Sequence, residues 1–310
     1  MSLGICEIGS YLPPDRIDSL ARAEEFGVEP EFLRDKVGIL RVSRKRPEQQ
    51  TSDLAVEACN ALFAKVPDLS AKDIDCLIVC TQTGDYAIPH TSAILHRKLG
   101  CRANCAFFDL NLGCSGYPYA LSAALGFMEG NGLRRGLVVT ADPYSRIISE
   151  QDKSTAVVFG DGATATLLGD GARLTVGPLA FHSDTENLEG LIKHPEEPLF
   201  MNGRLIFNFV MRSVLPCVDE CLITNRLTRA DIDIFLFHQA SKFVLDNLRK
   251  TLRLPDEKAP FVIGDYGNTV SSALPLLLEN YLNEGAFKRL LLAGFGVGLS
   301  TAATVLTRVS

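Results

Sequence analysis

The residues best suited to chemistry begin at Gly113-Cys114-Ser115-Gly116, where a β-prone run ending at Leu112 turns into an apolar segment with almost no charge before Glu129. That pattern places Cys114 at the start of a buried helix, where unpaired N–H groups and the helix dipole favour an anion. The thiol is therefore expected to lose its proton more readily than in solution. Between glycines, a substrate carbonyl can approach the backbone closely, which is the layout of a nucleophile. The bland alternative is a small cysteine buried in a tight turn. Two more polar residues stand in comparable places: His238 ends the apolar run Phe235-Leu236-Phe237, and Asn268 sits in Gly267-Asn268-Thr269 ahead of a second apolar segment. A polar residue where a strand emerges is a natural site position in an α/β protein. The alternatives here are a hydrogen-bonded core histidine and a turn asparagine that caps the next helix.

The elements that must position these residues are duplicated. Lys72-Asp73-Ile74-Asp75-Cys76-Leu77-Ile78-Val79-Cys80 is echoed by Ala230-Asp231-Ile232-Asp233-Ile234-Phe235-Leu236-Phe237-His238, and the stretch from Gly113-Cys114 to Val139 by that from Gly267-Asn268 to Leu292. Two α/β halves follow, 1–170 and 171–310, with mostly parallel strands covered by helices. The expected strands are Gly4–Ile8, Cys76–Thr81, Ala106–Leu110, Leu137–Ala141 and Ala163–Leu168, then Leu174–Phe181, Ile234–His238, Phe261–Ile263, Arg289–Gly294 and Ala302–Thr307. Helices are expected at Ser52–Phe63, capped by Thr51 or Ser52, and at His90–Leu99, Ser115–Glu129, Ile206–Thr224, Lys242–Leu252 and Ser271–Asn283. The segment Asp184–Arg204 reads as an irregular lid or loop. If the halves pack about a pseudo-twofold axis, the turns at Cys114 and Asn268 and the strand tip at His238 meet.

Composition narrows the function classes. The 310 residues are 46% hydrophobic and carry a net charge of −6, which argues against a nucleic-acid binder. The opening residues lack the basic and apolar regions of a signal peptide, and no run reaches membrane-spanning length, so a cytoplasmic location is expected. Nine cysteines, mostly inside apolar runs, suit reduced thiols better than a disulfide framework. The spacings Cys76/Cys80, Cys101/Cys105 and Cys217/Cys221 are read as core packing rather than metal ligation. His90, His96, His182 and His194 lie in no motif. Metal, nicotinamide and nucleotide signatures are absent from the sequence, so no cofactor is expected.

Taken together, the Gly-Cys-Ser-Gly turn at Cys114, His238-Gln239-Ala240, Gly267-Asn268-Thr269 and Phe159-Gly160-Asp161-Gly162-Ala163 resemble β-ketoacyl-acyl carrier protein synthase III of the thiolase superfamily. The opening Ile8-Gly9-Ser10-Tyr11-Leu12-Pro13 and the closing Phe295-Gly296-Val297-Gly298 fit as well. The resemblance implies a layered α-β-α-β-α thiolase-like fold and a homodimer that uses acyl-CoA and an acyl carrier protein. It also implies Cys114 as the acylated nucleophile and His238 and Asn268 as hydrogen-bond donors to a malonyl-type thioester during decarboxylation. The oxyanion hole would be formed by the N–H groups of Cys114 and Gly298. Those residue types suit the chemistry, because a thiolate is both a good nucleophile and a good leaving group, and two donors stabilise an enolate without an external base.

The sequence departs from the family at the edges of the site. The positions that grip coenzyme A, by resemblance usually tryptophan and arginine, are Phe32 and Lys36, with Lys153 at another arginine position. Gly203, Arg204 and Ala240 complete the implied pantetheine channel. After His238 the usual arginine of the carrier-protein docking patch is missing, and Lys242, Arg249, Lys250 and Arg253 are the substitutes on one helical face. Ile88 stands where the family closes the partner subunit's acyl pocket, often with phenylalanine, so a primer bulkier than acetyl is expected. Two other readings stay open: an acyltransferase or condensing enzyme of a secondary-metabolite or surface-glycan pathway, and a non-catalytic partner subunit.

Overall fold

The structure, a computed structural model, describes residues 3–309. Its ten principal strands are β1 (Gly4–Tyr11), β2 (Cys76–Cys80), β3 (Ala106–Leu110), β4 (Arg135–Ala141), β5 (Ala163–Gly169), β6 (Leu174–Val176), β7 (Ala180–Ser183), β8 (Ile234–Phe237), β9 (Arg289–Gly296) and β10 (Ser300–Arg308). They form one ladder in the order β8-β9-β10-β6-β1-β5-β4-β2-β3, with β7 also on β10. Six principal helices cover it: α1 (Thr51–Lys65), α2 (Thr91–Leu99), α3 (Gly116–Asn131), α4 (Gly203–Thr224), α5 (Lys242–Leu252) and α6 (Ala273–Leu282).

Side-chain alternation along the strands builds the layers. Leu77 and Val79 of β2 face Leu54, Ala58 and Leu62 of α1, whereas Ile78 between them faces Leu121 and Ala124 of α3. In the second half Phe235 and Phe237 of β8 face Phe209 and Val214 of α4, and Leu236 turns to the same central layer, against Leu277 and Leu278 of α6. Helices α3 and α6 are thus sandwiched between two half-sheets, which is why each carries a single charged residue, Glu129 and Glu279, in its C-terminal part, and the stack reads α-β-α-β-α. Among the described residues the halves of the ladder join at a single pairing, Ile5 with Leu174.

The echoed acidic motif has a concrete job. Asp75 accepts hydrogen bonds from the backbone N–H groups of Arg134 and Arg135, at 2.9 Å each, and so ties the start of β2 to that of β4. Asp233 does the same between β8 and β9, accepting from Lys288 at 2.6 Å and Arg289 at 2.9 Å.

Several expectations are corrected. Only β2/β3, β2/β4 and β8/β9 are parallel; the other pairings are antiparallel, because β10, for one, returns directly after a short turn from β9. The run Leu174–Phe181 breaks into β6 and β7 at Gly177-Pro178, where proline has no N–H for a ladder. Phe261–Ile263 is not a strand: Val262 donates to Gln239 Oε1 at 3.0 Å, and Ile263–Asp265 form a 3₁₀ turn. Helix α1 is capped by Gln50 in a box with Asp53, because Thr51 and Ser52 are spent on the carbonyl of Thr83 and the carboxylate of Asp85. The expected lid contains a 3₁₀ segment, Thr185–Gly190, and a two-residue hairpin, Leu191–Ile192 with Phe200–Met201. It ends where Asn202 caps α4 by accepting from Leu205 N.

Candidate active site

Cys114, His238 and Asn268 line one cavity of about 130 Å³, together with Phe159, Leu191, Met201, Phe207, Val210, Val244, Phe295 and Gly296. The route from sequence to this meeting point runs through backbone hydrogen bonds. The Cys114 turn closes with Gly116 N donating to Gly113 O at 2.8 Å just before α3 begins. Gly296 makes room for the sulfur: a Cβ there would lie 2.6 Å from the Cys114 Cβ and 3.0 Å from its Sγ. His238 extends β8 by donating its N–H to Ala293 O at 2.8 Å. Its ring stands edge-on to Phe295, with centroids 5.5 Å apart. Asn268 is stitched to the first half of the chain, donating to Val158 O at 2.8 Å and accepting from Gly160 N at 2.9 Å.

These bonds also orient the polar atoms. Asn268 Oδ1 accepts from Val270 N at 2.8 Å, so the amide presents its NH₂ group as the free donor. Nδ1 of His238 is sealed away without a partner, which leaves Nε2 as the nitrogen offered to the cavity. The backbone N–H groups of Cys114 and Val297 favour the Cys114 thiolate.

The expected easy ionisation of Cys114 is corrected. Burial, and then the negative charge of Asp142, push its thiol up to about 12. A helix N-terminus contributes at most ~2 kcal/mol, about 1.5 pKa units, and cannot reverse that. Burial pushes the His238 imidazole down to about 3. Near neutral pH the site therefore holds a thiol and a neutral imidazole, not an ion pair. The consequence is measurable: alkylation of Cys114 by iodoacetamide in the substrate-free protein should rise about tenfold per unit between about pH 6 and pH 9 with no plateau. Levelling in that window would show a thiolate already formed.

Asp142 is a member of the site that sequence reading passed over. It is fully buried, accepts from Gln82 N at 2.7 Å and from the hydroxyls of Thr81 and Ser271, and is itself raised by burial. Its signal was available, since it follows the apolar strand Leu137–Ala141 as His238 follows β8.

Residues 108–185 match the family described as 3-oxoacyl-[acyl-carrier-protein] synthase III, and residues 222–308 match its C-terminal part. A β-ketoacyl-[acyl-carrier-protein] synthase III of Alkalilimnicola ehrlichii is 32% identical over 313 residues, spanning 96% of this chain and 97% of the relative. The chain belongs to the synthase III family. A solved 3-oxoacyl-(acyl-carrier-protein) synthase III superposes with a TM-score of 0.92 at 34% identity, covering 99% of this chain and 100% of the other. The priming β-ketosynthase of a polyketide biosynthetic pathway gives 0.89 at 27% identity, with 99% and 97% covered. The two matched stretches hold Cys114 in the first and His238 and Asn268 in the second.

The remaining residues assigned through the synthase III resemblance lie in several places. Phe32 and Lys153 share a hollow of about 400 Å³ with Val28, Leu33 and Val157. Val158, next in sequence, faces the cavity of Cys114. Gly203 and Ala240 line that cavity, with Arg204 exposed beside them. The Lys36 ammonium lies 5.4 Å above the ring of Phe243, which packs at 5.0 Å on Phe207 of the cavity wall. Phe243, an exposed aromatic residue in the first turn of α5, is a contact that sequence reasoning missed. Gly298 is displaced from its expected role, since the second N–H that favours the thiolate is that of Val297. Ile88 is 89% exposed and lines no part of this cavity.

The docking set is divided. Lys250 and Arg253 are exposed, and Lys242 pairs with Asp246 at 2.6 Å. Arg249, only 8% exposed, turns inward, donating from Nε to Ala259 O at 2.7 Å and from a terminal nitrogen to Asp246 at 2.9 Å. Its place on the helix predicted a surface cation; the chain folding back at Ala259 gives it a buried acceptor. Arg249→Ala should therefore cost about 2 kcal/mol of stability, read in denaturant melts, through the stranded Ala259 carbonyl. Lys250→Glu with Arg253→Glu should leave the melt unchanged and raise the KM for an acidic carrier protein.

Proposed function

We propose that this synthase III starts acyl-chain assembly by moving an acyl group from coenzyme A to Cys114 and joining it to a malonyl-type extender on a carrier protein. The observation that carries this reading is the convergence in one apolar cavity of a thiol, a neutral imidazole offering Nε2 and a carboxamide whose oxygen is already engaged. In the first step the Cys114 sulfur bonds to the thioester carbonyl carbon, the carbon–sulfur bond to coenzyme A breaks, and the thiol proton ends on the departing coenzyme A sulfur. In the second step the extender loses carbon dioxide, and the electron pair left behind is held as an enolate by hydrogen bonds from His238 and Asn268. Its carbon attacks the Cys114 thioester, whose oxyanion rests on the N–H groups of Cys114 and Val297; the new carbon–carbon bond forms as the carbon–sulfur bond breaks, and the sulfur leaves with the electron pair and takes up a proton from solvent. Neither step needs a group beyond these side chains and the coenzyme A thioester, and we assign no cofactor.

The hollow bounded by Phe32 and Lys153, and Lys36 over Phe243, support a path for the pantetheine and nucleotide of coenzyme A. The exposed edge strand β3, with Phe107 open to solvent, supports a homodimer; we further propose a cytoplasmic location and a division of the chain into halves 1–170 and 171–310. In such a dimer Ile88 would reach the neighbouring cavity. A cavity of this size approaches the roughly 150 Å³ that accommodates benzene, so short and branched primers are the expected range. The test is carbon dioxide release from malonyl-carrier protein with a panel of acyl-CoAs. Ile88→Phe should shift the profile toward the smallest primers, and an unchanged profile would remove Ile88 from the pocket.

A second reading, priming of a specialised pathway, draws support from α5, where the inward turn of Arg249 and the pairing of Lys242 thin the basic face. Condensation that favours a carrier protein other than that of fatty-acid synthesis would select it.

A further inference from the structure

We propose that His96, Cys101 and Cys105 form a second site, remote from the catalytic residues in function, that binds one thiophilic metal ion of the Zn²⁺ class. Their ligand atoms, one ring nitrogen and two sulfurs, all lie within 4.8 Å of one another, and none of the cysteines is in a disulfide. A tetrahedral Zn²⁺ with sulfur at about 2.3 Å and nitrogen at about 2.0 Å needs donors about 3.5–3.8 Å apart, which small rotations of these side chains provide. The Cys-x₃-Cys spacing, read from sequence as core packing, falls within the range used by zinc-binding loops; what the sequence did not reveal is that His96 joins it.

The backbone shapes the loop around this point. Gly100 ends α2 in the left-handed conformation at φ +69°, and Cys101 N then donates to His96 O at 3.1 Å. Cys105 N donates to Arg102 O at 3.0 Å, so both sulfurs are carried by a closed turn. His96 Nε2 lies 3.0 Å from that same carbonyl, and Arg102 is fixed by an ion pair with Asp75 at 2.7 Å. With Nε2 donating to the carbonyl, the lone pair is left on Nδ1, the second-shell arrangement that metal-bound imidazoles use. Phe107 covers the ring, at 4.9 Å between centroids. Two sulfurs and an imidazole select soft or borderline cations over Mg²⁺ or Ca²⁺. His96 and Cys101 are half-buried, so water can take the fourth position.

Binding replaces two S–H bonds by two sulfur–metal bonds and releases two protons to the buffer, so affinity should increase with pH. The ion would join the end of α2 to the start of β3, the strand that leads into the Cys114 turn. The experiment titrates the reduced full-length protein with Co²⁺ as a spectroscopic stand-in, followed by Zn²⁺ displacement. The expected result is one equivalent with a sulfur-to-cobalt charge-transfer band, kept in Cys114→Ser, lost in Cys101→Ser and weakened in His96→Gln, with a Tm that climbs with the logarithm of metal concentration. Should Cys101→Ser fail to fold, the partly exposed His96→Gln carries the comparison. Absence of the band, its survival in Cys101→Ser, or formation of a Cys101–Cys105 disulfide in place of metal uptake under reducing conditions would overturn the proposal.

Discussion

Replacing Cys114 by alanine is expected to abolish acyl uptake from acyl-CoA and to lower condensation by at least about 10³-fold, while slow decarboxylation of malonyl-carrier protein persists. The separation follows from the geometry. The sulfur is needed only to hold the acyl group, whereas the enolate leans on His238 and Asn268, which are anchored independently through Ala293 and through Val158 and Gly160. Intact-mass measurement reads the first function and carbon dioxide release the second. Loss of both together would mean that Cys114 also shapes the decarboxylation site. Acyl uptake that survives the substitution would assign the nucleophile elsewhere among the nine cysteines.

The second large effect is expected at the donor pair, and it runs the other way. Asn268→Asp keeps the shape and the oxygen that accepts from Val270 N but exchanges the free NH₂ donor for a second oxygen, so decarboxylation should fall by about 10²–10³-fold. Acylation of Cys114 should change far less. His238→Ala should lose decarboxylation to a similar degree, again with a far smaller change in acylation. The pH profile discriminates further: with the imidazole held near 3 by burial, decarboxylation in the wild type should show no loss of rate attributable to His238 on lowering the pH from about 8 to 6. A fall through the ordinary histidine range would show that His238 is solvated and protonated when substrate is bound.

How far the sequence revealed this molecule depends on the range of the interaction. The position of Cys114 before a helix with one charged residue and the echo of Asp75 by Asp233 are local patterns, and both carried directly into the fold. The central layer was legible for the same reason, since α3 and α6 have no polar face. The ionisation of Cys114 was not, because the helix start is visible in the sequence while the burial and the approach of Asp142 come from segments far along the chain. Arg249 was misplaced because helical spacing cannot show that Pro255–Ala259 loops back to offer a carbonyl. The exchange of Gly298 for Val297 is an error of one residue, where the strand end of β9 decides which N–H favours the thiolate. His96 escaped notice since nothing in its immediate neighbours marks it, and only the turn after Gly100 brings it to the two thiols.

The anchoring of the two donors has one more implication. The carboxamide rides on the segment Val158–Gly160 of one half, and the imidazole rides on β9 of the other, with Ile5 and Leu174 as the rung between the half-sheets. The gap between amide and ring is therefore a gauge of how the halves are aligned. A substitution in the buried middle layer, touching no reacting atom, would slide one half against the other by a fraction of an ångström and be felt first as slower carbon dioxide loss, before any change in melting.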